Sequence, residues 1–307
     1  MLAILFPGQG SQRPGMGAPW QDHESWSVVE EISEATGRDL AALLVDADAE
    51  TLRQTGNAQL AAFGLSLVVL DASRGAGLAD APVAAMAGHS LGEYTALVAT
   101  GVLDPAAGAR LVAERGDAMQ QAASERPGTM TAILGLSPAH VAEACDGVNG
   151  AWVANDNAPG QVVVAGTAEG VAHAADAARS LGAKRVVALA VGGAFHTPLM
   201  RPAQERLDAA LASARFAPTR SVVVANVDAA GHTDGWGALL SAQLCSPVRW
   251  RESLATLAEL GVDHFLELGP GTELSGMVKR TVERAARANV ATPDHLQALA
   301  GYLNESR

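Results

Sequence analysis

A serine lies in a Gly-x-Ser-x-Gly motif at the junction of a predicted strand and a predicted helix. The motif, GHSLG, occupies residues 88–92; it follows an apolar run at residues 81–87 and precedes a helical pattern at residues 93–99. At such a junction the chain turns sharply, which exposes the serine hydroxyl, and the start of the helix supplies backbone N–H donors for an oxyanion. The pattern therefore predicts that Ser90 is a nucleophile.

A serine nucleophile needs a general base, and the chain has eight histidines that could provide one. His89 adjoins the serine, but successive side chains of an extended segment point to opposite faces, which favours a structural role for His89. His196 lies where a predicted strand ends, a small predicted domain returns and a helix begins; ligand sites are favoured in such clefts between domains. His196 is therefore predicted to be the general base. The remaining histidines lie in polar or ordinary helical settings: His23, His140, His173, His232, His264 and His295.

The pattern of apolar runs predicts an α/β fold that positions these two residues. Over residues 1–125, short strands alternate with helices predicted at residues 24–36, 48–54, 58–75, 92–100 and 104–123, which favours a mostly parallel sheet flanked by helices. From residue 129 the order of predicted elements is β-α-β-β-α-β, with helices predicted at residues 138–145 and 168–181, which is typical of a ferredoxin-like unit. We therefore expect a large α/β-hydrolase-like domain (residues 1–125 and 197–307) with an inserted small ferredoxin-like subdomain (residues 126–196). In the last part we expect helices at residues 197–213, 253–260 and 274–287, and strands at residues 221–227 and 264–268.

The composition limits the class of protein and its partners. The chain has 307 residues, enough for a sizeable core, and no apolar stretch long enough to span a membrane. Its net charge of −12 argues against a nucleic-acid partner, although basic residues cluster at residues 184–185, 249–251 and 279–287. The start of the chain resembles a strand rather than a signal peptide, and Cys145 and Cys245 match no metal spacing. We therefore expect a cytoplasmic protein without a metal site.

Six motifs between residues 6 and 271 resemble those of the malonyl-CoA:acyl-carrier-protein transacylases, and also those of polyketide synthase acyltransferase domains. They occur in the same order as in that family and span nearly the whole chain. They are FPGQGSQ at residues 6–12, GHSLGEY at 88–94, RGDAMQ at 115–120, AFHTPLM at 194–200, QLCSPVRW at 243–250 and ELGPG at 267–271.

The resemblance implies a role for each residue of a catalytic site. Ser90 would carry the malonyl group as an ester, and His196 would take the serine proton and later activate the incoming thiol. The backbone N–H groups of Gln9 and Leu91 would form the oxyanion hole. A backbone carbonyl near Gln243, rather than a carboxylate, would orient the histidine.

The resemblance also implies which acyl group is bound. It places Arg115 in the acyl pocket, where the planar guanidinium would bind the free carboxylate of malonate with two donors. Without the family, an arginine on a helix more often extends to solvent. Phe195 resembles the residue that limits the substituent at C2 in malonyl-selective members, and Leu91 after the nucleophile fits the same group.

The sequence thus predicts an enzyme that moves malonyl from malonyl-CoA to the phosphopantetheine thiol of an acyl carrier protein, in fatty acid or polyketide biosynthesis. We expect a monomer with no bound cofactor, for which the coenzyme A thioester is a substrate. A trans-acting polyketide synthase acyltransferase and the transferase subunit of a malonate decarboxylase remain alternatives. A serine hydrolase or thioesterase would not account for Arg115, and a non-catalytic carrier-protein docking module would have no use for Ser90 and His196.

Overall fold

Two β-sheets, surrounded by helices, make up the computed structural model, which describes residues 1–306. The strands are β1 (Leu2–Phe6), β2 (Val83–Gly88), β3 (Thr129–Leu134), β4 (Ala151–Ala158), β5 (Gln161–Gly166), β6 (Arg185–Ala188), β7 (Val222–Val224), β8 (Gly231–His232), β9 (His264–Leu268) and β10 (Ala286–Val290). The helices are α1 (Ser27–Thr36), α2 (Leu40–Val45), α3 (Ala49–Arg53), α4 (Thr55–Gly75), α5 (Gly92–Ala99), α6 (Pro105–Glu125), α7 (Pro138–Cys145), α8 (Ala168–Ser180), α9 (Arg201–Ser213), α10 (Trp236–Gln243), α11 (Trp250–Glu259), α12 (Glu273–Thr281) and α13 (Leu296–Glu305).

The larger sheet has six strands in the order β10-β9-β1-β2-β7-β8. All neighbouring pairs are parallel except the terminal pair β7–β8. The carboxyl ends of parallel strands meet at one edge of a sheet, where ligands are usually bound. The loops that follow β1, β2, β7 and β9 therefore emerge side by side, and the loop after β2 carries Ser90.

Helices α4 and α6 pack against one another on one side of this sheet. Helix α4 is buried on nearly every side because its residues are mostly small or apolar. Helix α6 begins where the Asp104 carboxylate accepts a hydrogen bond from the Ala107 N–H at 3.1 Å, with Pro105 in the first turn. This start sets the face on which Arg115, further along α6, points into the core.

The smaller sheet is antiparallel, with strand order β4-β5-β3-β6. Its helices α7 and α8 begin at Ser137 and Thr167, whose hydroxyls cap them, and both pack on the sheet around an apolar cluster. Strand β4 also reaches the larger part of the protein, because the Asp156 N–H donates to the Val248 carbonyl at 2.9 Å and the Arg251 guanidinium pairs with the Asp156 carboxylate. The smaller sheet is therefore hydrogen-bonded to the segment just before α11, where the Arg249 N–H donates to the Asn226 carbonyl at 3.0 Å, next to β7.

The α/β fold with a mostly parallel sheet confirms the coarse prediction, whereas the prediction of a single helix at residues 274–287 is wrong. Helix α12 ends at Thr281, and the chain then turns through Arg284, whose φ is +63°, into the edge strand β10. Pairing of β10 with β9 satisfies backbone groups at the sheet edge that a longer helix would leave open.

Other differences from the predicted elements are smaller. The helix expected at residues 197–213 begins at Arg201, after a short 3-10 turn at Pro198–Met200, and the strand expected at residues 221–227 covers only Val222–Val224. Helices α2, α10 and α13 were not predicted. Residue 307, the last of the predicted large domain, lies outside the described residues. Within residues 1–306, no helix combines the length and the apolar character that a membrane crossing requires.

Candidate active site

Ser90 lies in a strained turn between β2 and α5. Its φ is +53°, a left-handed conformation that is unusual for a residue with a Cβ, and the side chain is held at the end of the parallel strands. A Cβ at Gly92 would lie 2.1 Å from the Phe6 carbonyl oxygen, so only glycine allows the helix to begin this close to β1. The geometry is that of a nucleophile elbow, as the GHSLG pattern predicts.

His196 is the ring that contacts the serine. Its Nε2 lies 2.7 Å from Ser90 Oγ, and its Nδ1 lies 3.0 Å from the backbone carbonyl oxygen of Gln243. Since a carbonyl only accepts, Nδ1 carries the proton and Nε2 is left to accept the serine proton. The backbone of His196 is also left-handed, with φ +60°, and the Thr197 hydroxyl holds this turn by donating to the Ala194 carbonyl at 2.7 Å.

The surroundings of His196 keep its imidazole neutral. The side chain is buried, and this burial, together with the charge of Arg115, lowers the pKa of His196 to about 3. A neutral imidazole that is hydrogen-bonded to a serine hydroxyl can accept its proton. The pair is therefore ready for base-assisted attack.

Arg115 is fully buried beside the nucleophile. Its Nη2 donates to Ser90 Oγ at 3.0 Å and to Gln243 Oε1 at 2.9 Å, and its Nη1 donates to Gln59 Oε1 at 2.6 Å. The guanidinium carbon lies 5.6 Å from the centre of the Tyr94 ring. Its Nε has no acceptor within residues 1–306, and in that part of the chain no carboxylate forms an ion pair with it. The site thus contains a buried cation that still has an unused donor.

A cavity of about 210 Å³ opens at Ser90, between the loop after β1 and the smaller sheet. It is bordered by Pro7, Gly8, Gln9, Gly10, Ser11, His89, Ser90, Met119, Met130, Asn155, Asn157, Val163, Leu189, Val191, Phe195, His196, Glu273, Leu274 and Met277. Most of this lining is apolar, with a few polar groups that converge on the serine, as is usual for a small-molecule site.

The structure also brings the loop that carries Gln9 against the elbow. A Cβ at Gly8 would lie 2.3 Å from the His89 carbonyl oxygen, and the His89 N–H donates to the Phe6 carbonyl at 3.0 Å. Neither the Gln9 N–H nor the Leu91 N–H donates to another protein group within residues 1–306. Both N–H groups thus have no protein acceptor in this part of the chain, and Gln9 and Ser90 border the same cavity. The Leu91 side chain points away from the cavity into the main apolar core.

This chain matches the family described as the acyl transferase domain over residues 4–300. The malonyl CoA-acyl carrier protein transacylase of Escherichia coli (strain K12) is 42% identical over 306 residues, covering 97% of this chain and 98% of the relative. The transacylase of that name from Bacillus subtilis (strain 168) is 38% identical over 312 residues, covering 99% and 98%. The chain belongs to the malonyl CoA-acyl carrier protein transacylase family.

Solved structures similar to this chain have transacylase names too. An acyl carrier protein S-malonyltransferase from Vibrio cholerae has a TM-score of 0.92 and 38% identity, with 97% of this chain and 99% of that one covered. A malonyl-transacylase in complex with its type II PKS acyl-carrier protein has the same TM-score and identity, covering 97% and 98%. With this coverage, the similarity extends over both sheets.

His89 lies apart from the catalytic pair. Its Nε2 lies 2.8 Å from Asn157 Oδ1, its ring packs edge-to-face on Trp250, and burial lowers the pKa of His89. The ring therefore joins the elbow to the smaller sheet. No group of three or more His, Cys, Asp or Glu side chains in residues 1–306 is arranged to hold a metal ion.

Two buried residues of the transacylase site were missed by the sequence analysis. The Asn226 side-chain amide accepts from the Ser90 N–H at 2.6 Å and donates to the Gly88 carbonyl at 2.8 Å, so it fixes the backbone on either side of His89. Glu93, in the first turn of α5, accepts from the Asn226 N–H at 2.9 Å and from Gln243 Nε2 at 3.0 Å. Asn226 was included in a longer predicted strand; its place at the end of a strand parallel to β2 was the signal that could have identified it.

Proposed function

We propose that this protein transfers malonyl from malonyl-CoA to the phosphopantetheine thiol of an acyl carrier protein, through a malonyl ester on Ser90. The observation that carries the proposal is the buried Arg115 guanidinium, which touches the hydroxyl that His196 is placed to deprotonate. The names of the similar proteins support the same reaction.

In the first half-reaction, Ser90 Oγ attacks the thioester carbonyl while His196 Nε2 takes the serine proton. The backbone N–H groups of Gln9 and Leu91 would stabilise the tetrahedral oxyanion, because neither has an acceptor within residues 1–306, Leu91 follows Ser90 and Gln9 borders the same cavity. Collapse of this intermediate breaks the C–S bond, and His196 returns the proton to the coenzyme A sulfur.

In the second half-reaction, the carrier-protein thiol gives its proton to His196 and attacks the Ser90 ester. Collapse of the second intermediate breaks the ester C–O bond, and the proton on His196 returns to Ser90 Oγ. The carbonyl oxygen of Gln243 accepts from Nδ1 throughout and so stabilises the imidazolium formed in each half. Ping-pong kinetics follow from this sequence.

Arg115 would bind the free carboxylate of the malonyl group. A buried charged donor without an acceptor is costly, and a substrate carboxylate would satisfy the unused Nε. Phe195, which borders the cavity, would limit the volume beside C2 of the acyl group, with a discrimination of about 1–3 kcal/mol per methyl-sized group.

The proposal extends to the finer architecture and setting. Residues 1–125 and 197–307 would form an α/β-hydrolase-like domain, and residues 126–196 a ferredoxin-like subdomain that covers the cavity. We further propose a monomeric, cytoplasmic enzyme that uses no bound cofactor.

Polyketide biosynthesis is a second candidate setting for the same reaction. It is favoured by similarity to the polyketide biosynthesis protein ThaF of Burkholderia thailandensis, which is 39% identical over 296 residues; the match covers 25% of ThaF.

Incubation with malonyl-CoA labelled in the malonyl group tests the proposed function. In the absence of carrier protein, we expect the protein itself to become labelled. When a holo acyl carrier protein is then added, the label should move to it. Release of free malonate at the same rate with and without carrier protein would indicate a hydrolase, and carrier-protein binding without any label on the protein would indicate a docking module. Several carrier proteins tested in parallel separate the fatty acid and polyketide settings.

Arg115→Ala should lower kcat/KM for malonyl-CoA at least about tenfold, because a hydrogen bond to a charged group contributes about 1.5–3 kcal/mol and about 1.4 kcal/mol is a factor of ten. Use of acetyl-CoA should stay level or rise, because acetyl has no carboxylate to lose. Arg115→Lys should restore malonyl use only in part, since an ammonium cannot make the two-donor contact. Competition between the two substrates measures the preference.

Arg110→Ala is the matched control, because Arg110 lies on the same helix but is exposed. It should leave the preference for malonyl-CoA unchanged. Equal losses for malonyl-CoA and acetyl-CoA in Arg115→Ala would contradict the carboxylate role and assign Arg115 to the fold or to the coenzyme A moiety.

A further inference from the structure

Glu93 is a fully buried carboxyl group that hydrogen-bonds to Asn226 and Gln243, and the mechanism above does not use it. It follows the nucleophile by three positions and is 0% exposed. Its Oε2 accepts from Gln243 Nε2 and from the Asn226 N–H, whereas its Oε1 has no partner within residues 1–306. Burial raises the pKa of Glu93 to about 7, against the opposing effect of these two donors. Burying such a group is costly, which points to a specific task for it.

The Gln243 side chain connects Glu93 to Arg115. Its Oε1 accepts from Arg115 Nη2 at 2.9 Å, and its Nε2 donates to Glu93 Oε2 and to the Ser90 carbonyl oxygen, each at 3.0 Å. A guanidinium only donates and a backbone carbonyl only accepts, so one orientation of the amide satisfies every neighbour. The opposite orientation would set NH₂ against the guanidinium and oxygen against two acceptors.

Glu93 is one of the two acceptors that hold this orientation. Without it, Gln243 Nε2 would keep only the Ser90 carbonyl, and the buried amide would be free to turn toward other partners. Arg115 would then lose the acceptor that holds its Nη2 beside Ser90 Oγ. Since in residues 1–306 no carboxylate pairs directly with Arg115, amide oxygens of Gln59 and Gln243 hold the guanidinium and its Nε is left without an acceptor.

We propose that Glu93 is a positioning residue for acyl-group specificity: through the Gln243 amide, its acceptor oxygen holds the Arg115 guanidinium where a dicarboxylic acyl group binds. This inference rests on the proposed malonyl transfer. It assigns Glu93 an effect on the choice between malonyl and acetyl that differs from a general contribution to folding.

Two variants with side chains of similar length distinguish the hydrogen-bond acceptor of Glu93 from the volume that its side chain fills. Glu93→Gln keeps a carbonyl oxygen for the Gln243 and Asn226 donors, whereas Glu93→Met fills the space and accepts no such bond. The measurement is the rate of Ser90 acylation by malonyl-CoA and by acetyl-CoA, followed by intact mass. We expect Glu93→Met to lower the malonyl-to-acetyl ratio of kcat/KM at least about tenfold and Glu93→Gln to keep it within about threefold of the unaltered protein.

Glu267→Met is the matched control for loss of a buried carboxylate. Glu267 is 1% exposed and accepts from the Leu274 N–H and from the Ser275 N–H and hydroxyl, outside the Arg115 network. It should lower thermal stability and reduce acylation from both substrates alike. A merely structural role of Glu93 would give this same pattern, with an unchanged ratio.

Gln243→Met tests the connection directly, because an unchanged ratio in this variant overturns the proposal whether or not Glu93→Met folds. It should lower the ratio as far as Glu93→Met does, and the double variant should lower it no further, because both act through one amide. An unchanged ratio in either single variant, or additive losses in the double, would overturn the proposal, as would an equal loss in Glu93→Gln. The proposed function is tested first, on the unaltered protein. Absence of a malonyl adduct there would contradict the proposed function rather than the role of Glu93.

Discussion

Ser90→Ala should abolish the acyl-enzyme and lower malonyl transfer by more than about 10⁴-fold, as removal of a nucleophile does in serine enzymes. The reason is that, within residues 1–306, Ser90 Oγ is the hydroxyl that combines contact with His196 Nε2 at 2.7 Å, contact with Arg115 and a position on the cavity. Intact mass after brief mixing with malonyl-CoA should show one malonyl adduct on the unaltered protein and none on the variant.

Ser11→Ala provides a control on the same cavity. The Ser11 hydroxyl is also buried there, but it donates to the Gly8 carbonyl at 2.8 Å and has no contact with a base. This variant should keep the adduct. A malonyl adduct that persists in Ser90→Ala would show that another residue is the nucleophile.

The nucleophile could be predicted from the sequence because its geometry is local. The turn at Ser90 is produced by its immediate neighbours, and Gly92 is required by the approach of the helix to β1. His196 could be predicted from its place at the junction of two units, although 106 residues separate it from Ser90. Its φ of +60° and the short turn that follows it belong to the loop and were not predicted from the pattern of apolar residues.

The hydrogen bonds around the pair depend on the folded chain and could not be predicted. Asn226 meets Ser90 across 136 residues, and Gln243 meets Glu93 across 150, so no local spacing indicates either contact. The family resemblance led to Gln243 through its backbone carbonyl, but the part played by its amide depends on Arg115 and Glu93 together. Packing around buried polar groups, rather than periodicity, decides such contacts.

The fold shows the same division between local and long-range determinants. Helices with clear caps, such as α7 at Pro138–Cys145, match their predicted bounds, because Ser137 and the following proline specify the start. The edge strand β10 was predicted as part of a helix, since its residues have helical propensity and only pairing with β9 makes them extended. Tertiary contact overrides propensity at that edge.

His196→Ala should lower malonyl transfer by about 10²–10⁴-fold, the usual contribution of general acid–base catalysis, while the fold is retained. Because burial and the charge of Arg115 lower the pKa of His196, its imidazole is neutral at pH 7, so the lost group is a proton acceptor and not a charged structural partner. The rates of Ser90 acylation and of transfer to the carrier protein should fall together, because the same ring handles the proton in both half-reactions. Thermal unfolding checks that the variant is folded.

His89→Ala is the matched comparison for His196→Ala, because the two rings border one cavity and differ in what they contact. The His89 ring is bonded to Asn157 and packed on Trp250, while only the His196 ring reaches Ser90 Oγ. Removal of His89 should therefore reduce transfer less than removal of His196, and mainly by loosening the join between the elbow and the smaller sheet. If His196→Ala kept near-normal turnover while His89→Ala lost it, the general base would be His89, and the Gln243 carbonyl would have no role in proton transfer.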